Sequence, residues 1–166
     1  MKRSHTKFVH ELIKGKIAEI LFQHLFSEHE FASVLPFGYE HTTPLLAQYQ
    51  LQLPKATLEN IRNTPDFILL KPDHTDVVFV DVKFRKAMQP LRVLELANKV
   101  EQTWPGAWLF LATLDGFYVA PCAEIQSRGG AFPSSDQMDQ SGAAGAVFGV
   151  AAGVSGLNRG VPLPIV

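Results

Sequence analysis

The stretch T64–K86, TPDFILLKPDHTDVVFVDVKFRK, decides how this chain folds. Two apolar runs, about 66–71 and 76–84, flank KPDHTD, whose Pro72-Asp73 pair is good turn chemistry, so the stretch predicts two antiparallel strands. Successive side chains of a strand point to opposite faces. In VVFVDVKF, residues 77–84, one face carries Val77, Phe79, Asp81 and Lys83, and the other carries Val78, Val80, Val82 and Phe84. Antiparallel pairing sets the start of one strand beside the end of the next, which brings Asp66 close to Asp81. Unpaired buried charges are costly, so three charges inside an apolar run imply that they serve one another or a ligand.

Outward from this hairpin, residues 6–28 predict a long helix with two apolar stripes. One stripe runs through Phe8, Leu12, Gly15, Phe22 and Phe26 and includes Glu19; the other runs through Val9, Ile13, Ile17 and Ile20. Such a helix is expected to be covered on much of its circumference, with Gly15 permitting close backbone approach. Residues 31–39 predict a strand that Pro36 confines to a sheet edge. Residues 40–63 read as an irregular excursion with a short helix over 55–61. Residues 91–102 predict a second helix stopped by Pro105-Gly106, and 107–120 two short strands around Asp115-Gly116.

With 166 residues and 46% hydrophobic content, the chain suits one domain with a substantial core. Fifteen basic and sixteen acidic residues leave a formal charge of -1, so any attraction to nucleic acid has to be local. The local excess is at 83–99, where Lys83, Arg85, Lys86, Arg92 and Lys99 face one acid, Glu95. Arg85, Lys86, Gln89 and Arg92 are the expected nucleic-acid contacts. Cys122 is the only cysteine, which excludes an internal disulfide or thiolate zinc site and suits a cytoplasmic protein. The six histidines form no H-E-x-x-H or i,i+4 pair, and no phosphate-binding G-x-x-x-x-G-K-[ST] is present. Residues 127–166 form a Gly/Ala/Ser-rich segment, distinct from a domain at 1–126; its GAAGAVFGVAAGVSG run, 142–156, is too short for a typical membrane span. No stable membrane association is expected.

Pro65-Asp66, fourteen intervening residues and then Asp81-Val82-Lys83, preceded by Glu19 on a helix, resembles the PD-(D/E)xK motif of the restriction-endonuclease-like nuclease superfamily, Holliday-junction resolvases among them. The resemblance covers about residues 6–120. It implies an α/β fold with an αβββαβ core, a mixed central sheet flanked by helices, and hydrolysis of DNA phosphodiester bonds by an endonuclease. It further implies a Mg²⁺ or Mn²⁺ ion on Asp66, Asp81, the Val82 carbonyl and Glu19, with Lys83 as the catalytic lysine. Paired carboxylates can hold such an ion, with waters and phosphate oxygens completing its shell. A homodimer would suit double-strand cutting. The alternative is a non-catalytic module on the same fold that binds nucleic acid or protein, in which Asp81 and Lys83 are a simple ion pair.

Overall fold

The computed structural model describes residues 2–27, 33–38, 54–70 and 76–133, with the side chains of 2–9, 11 and 62 excepted. It is a mixed α/β fold: one five-stranded sheet with helices on both faces. In chain order the elements are α1 (Lys2–Ser27), β1 (Ser33–Pro36), α2 (Lys55–Arg62), β2 (Phe67–Leu70), β3 (Val77–Phe84), α3 (Pro90–Thr103), β4 (Trp108–Ala112), β5 (Phe117–Pro121) and α4 (Cys122–Ser127). The strands lie in the sheet in sequence order, β1 to β5. Pairing is antiparallel except between β3 and β4, where α3 makes the crossover that a parallel pair requires.

Local chemistry accounts for these elements. WLFLA of β4 is buried at every position, as befits a strand covered on both faces. Pro90 opens α3 at its first turn, where a missing N–H costs nothing. Pro36 ends β1, an edge strand, where its lack of a donor is tolerated. At the β4–β5 turn the Thr113 hydroxyl accepts hydrogen bonds from the Asp115 and Gly116 amides and closes the hairpin.

The sheet separates two cores. On one face Ala18, Phe22 and Phe26 of α1 pack on Phe67, Leu69, Val78, Val80, Val82 and Phe110. Phe22 is fully buried, with ring centroids 4.6 Å from Phe26, 5.0 Å from Phe67 and 5.1 Å from Phe110. On the other face Val93, Ala97 and Val100 of α3 and Ile125 of α4 pack on Leu109, Leu111 and Ala120, with Phe79 at the margin.

Two expectations for α1 are corrected. Leu12, Ile13, Ile17 and Ile20 are exposed, because the sheet covers only the narrow Ala18–Phe22–Phe26 stripe. Gly15 makes no close approach either, since a Cβ there would meet nothing within 4 Å. The Gly/Ala-rich run at 142–156 lies outside the described residues, as do all residues from 134 onward. Among the described residues no helix is long and apolar enough to cross a membrane.

Phe22 is the keystone of the α1 core, so Phe22→Ala is expected to destabilise the fold by about 3–5 kcal/mol in chemical denaturation. Ile17→Ala, on the uncovered face, is expected to cost less than about 1 kcal/mol in the same measurement.

Candidate functional site

Strand β3 is central, and its register with β2 positions the charges. Phe67 pairs with Val80 and Ile68 with Phe79, so Asp66, one step beyond the ladder, lies by Asp81. The Asp66 carboxylate accepts a hydrogen bond from the Val82 amide, Oδ2 to N 2.7 Å. Its own carbonyl accepts from the Phe37 and Gly38 amides, at 2.9 and 3.2 Å. Asp66 therefore stitches the end of β1 to the start of β2 and to β3.

Asp81 and Lys83 project from the α3 face of β3, away from α1. The Lys83 ammonium lies 2.7 Å from Asp81 Oδ1, 3.2 Å from the Val82 carbonyl and 3.6 Å from Asp66 Oδ2. The Asp81 side chain is 7% exposed against 33% for Lys83. Burial pushes the Asp81 carboxyl above its ordinary range, with Lys83 opposing and Asp66 reinforcing the rise. Burial alone would lower the Lys83 ammonium, but the Asp81 and Asp66 charges together outweigh it, and the net movement is upward.

This arrangement overturns the expected Mg²⁺ or Mn²⁺ site and, with it, the metal-dependent deoxyribonuclease activity. Among the described residues no group of three or more His, Cys, Asp and Glu converges to hold a metal ion. Three of the expected donor atoms are already engaged: Asp66 Oδ2 by an amide, Asp81 Oδ1 and the Val82 carbonyl by the Lys83 ammonium. One fixed positive charge performs the neutralisation that a divalent ion would otherwise supply. Glu19 does not join the cluster: α1 packs on the opposite face of β3, and Glu19 pairs with Lys16 at 2.6 Å. Lys83 in turn folds back onto Asp81 rather than standing toward a substrate.

The four expected nucleic-acid contacts do come together. Arg85, Lys86, Gln89 and Arg92, with Ala87 and Val93, line a concavity of about 100 Å³ at the start of α3. The backbone beneath is pinned, the Arg85 amide donating to the Ala112 carbonyl at 2.9 Å and the Leu114 amide to the Lys86 carbonyl at 3.4 Å. Gln89 caps α3 with no side-chain hydrogen bond, leaving first-turn amides for an incoming acceptor. Arg85 hydrogen-bonds the Phe84 carbonyl at 2.7 Å, and Arg92 pairs with Glu95 at 2.8 Å, an exposed contact that solvent screens.

Sequence reasoning missed Gly130 in this concavity's support. Its φ is +95°, and a Cβ there would overlap the Pro90 carbonyl, so only glycine allows the segment after α4 to seat against the first turn of α3. It also missed Asn63, and read Lys99 only as part of the basic run, whereas both border a chamber over Asp81 and Lys83. Neither has a motif; only the docking of α2 and α3 brings them there. Cys122 is buried, and burial reinforced by Glu101 and Asp81 pushes its thiol up to about 12, far from nucleophilic reactivity at neutral pH.

Comparison with protein-family models, curated proteins and solved structures finds no match to this chain.

Removing the ammonium leaves two neighbouring carboxylates uncompensated. Lys83→Met is expected to destabilise the protein by about 3 kcal/mol or more in urea titration, and adding Asp81→Asn to recover most of the loss. The raised Lys83 pKa also sets a pH dependence. Above the ordinary lysine value of 10.5 the unfolded chain releases this proton while the folded chain keeps it. Stability is therefore complete below 10.5 and falls as pH rises toward the folded value, and this fall is expected to be shallower in Lys83→Met.

Proposed function

We propose that this chain is a non-catalytic nucleic-acid-binding module on a restriction-endonuclease-like fold. The order α1, β1, β2, β3, α3, β4 supports that fold, with α2 as an insertion between β1 and β2 and with β5 and α4 appended. The PD-DVK residues then serve as the charged keystone of the sheet and not as a hydrolytic centre.

The observation that carries the binding reading is the convergence of Arg85, Lys86, Gln89 and Arg92 on one concavity at the α3 N-terminus. Three cations, an amide and first-turn N–H groups supply the donors that phosphate oxygens take. Guanidinium groups suit this role because their planar fork matches phosphate geometry. On a chain of net charge -1, a local patch of this kind places the contact without a general pull on polyanions. Such contacts position a strand and carry no base information themselves. The proposed partner is DNA.

Fluorescence anisotropy with labelled DNA over a salt series tests the reading. The wild-type chain is expected to bind with an affinity that falls as salt rises. The triple variant Arg85→Ala, Lys86→Ala, Arg92→Ala is expected to lose about tenfold or more and to flatten the logarithmic salt slope by about 2–3 units. Addition of EDTA is expected to leave wild-type binding unchanged. Equal binding by a folded triple variant would overturn the assignment of this surface.

A further inference from the structure

The α3 helix borders a second feature that phosphate binding leaves unused. A cleft of about 930 Å³ lies between α2 and α3, lined by Glu59, Asn60, Asn63, Lys99, Gln102, Thr103 and Trp104 among the described residues. A chamber of about 90 Å³ adjoins it, sharing Asn63 and Lys99 and bounded by Asp81, Lys83, Leu96 and Val100. In this chamber Asp81, 93% buried by its 7% side-chain exposure, keeps Oδ2 without any hydrogen-bond partner. The Nε1 of Trp104, in the wall of the outer cleft, is likewise buried and unpaired. Buried polar atoms are nearly always satisfied, so an orphan carboxylate oxygen beside a chamber calls for a donor from outside the chain.

Resting on the nucleic-acid reading, we propose that the α2–α3 cleft takes an unpaired nucleobase, whose N–H edge meets Asp81 Oδ2 and whose carbonyl or ring nitrogen meets Lys99 and Asn63. The chemistry selects this class. Within the chamber lining Lys83 is paired with Asp81 and Lys99 adds one further positive charge, so the chamber is not a site for a cation. It offers an acceptor in Asp81, a donor in Lys99 and both in Asn63, which is the adjacent donor–acceptor pattern that base edges present. Leu96 and Val100 supply apolar wall for a flat ring. Placement agrees as well: Lys99 lies two turns along α3 from Arg92, about 10 Å at the rise of an α-helix. One strand whose phosphates rest on the Arg85–Arg92 concavity therefore passes the mouth of the cleft. Base pairing occupies the same edge, so the module prefers single strands to duplex.

The test uses the full chain and two oligonucleotides of equal length at one salt concentration, a mixed-sequence single strand and its fully abasic counterpart, read by fluorescence anisotropy. Their phosphates are the same and only the bases differ. The base-bearing strand is expected to bind about tenfold tighter, the scale of a hydrogen bond to a charged group. Asn63→Phe, which fills the chamber, is expected to bring it down to the abasic level. Lys99→Met, at an exposed helix position, is the second variant should the first misfold by circular dichroism, and is expected to narrow the difference. Equal binding of both strands by wild-type protein, or a tenfold preference that persists in folded variants, would overturn the base pocket and leave the phosphate surface standing. Failure of wild-type protein to bind either strand would instead overturn the nucleic-acid reading on which the pocket rests.

Discussion

The contact on which the rest depends is the Lys83 ammonium held between Asp81 and Asp66. It sits on the central strand, where β3 is flanked by β2 on one side and β4 on the other. A carboxylate as buried as Asp81 is tolerable only with a counter-charge at contact distance, and Lys83 provides it at 2.7 Å. Asp66 sits further out, 3.6 Å from the ammonium, and uses its closest oxygen to hold the Val82 amide in place. The three residues thus fix the relative register of β1, β2 and β3 at the end of the sheet where Asp66 enters β2. A stretch that resembles a catalytic motif acts in this chain as a structural joint.

The same residues show what the sequence could and could not convey. Alternation along VVFVDVKF placed Asp81 and Lys83 on one face, and turn chemistry placed Asp66 beside them, because period and pairing are local properties. The lysine's destination was not local. A four-carbon stem lets the ammonium swing toward substrate or back onto its strand neighbour, and spacing is identical in both cases. Two adjacent carboxylates call for a cation, and spacing does not say whether that cation is a metal ion or the lysine itself. Glu19 failed for a different reason: its helical stripe was legible, but which face of the sheet that helix covers was not, and α1 lies opposite Asp81.

Helix α1 makes the point about periodicity in general. Its sequence carries two apolar stripes, yet the sheet covers only one narrow strip of the helix, and Ala18, Phe22 and Phe26 occupy it. Leu12 falls in the sequence-read stripe with Phe22 and Phe26, yet it is 63% exposed. Periodicity identifies a face able to be buried and says nothing of whether the fold has a partner for it. The strands fared better, since β4 is apolar at every position and a fully apolar strand has one natural place, the doubly covered interior.

Helix α3 then explains how a nearly neutral chain concentrates polar chemistry. Val93, Ala97 and Val100 commit one stripe to the core, which fixes where every other position points. Arg92 at the first turn and Lys99 two turns later stand on the same side of that stripe, each against a different cavity. Gly130 locks the N-terminal end against the segment after α4, and the crossover from β3 to β4 locks the helix over Asp81. The rigid spacing of the two cavities is therefore a consequence of core packing, which sets a charged concavity at one end of α3 and an unsatisfied carboxylate oxygen further along it.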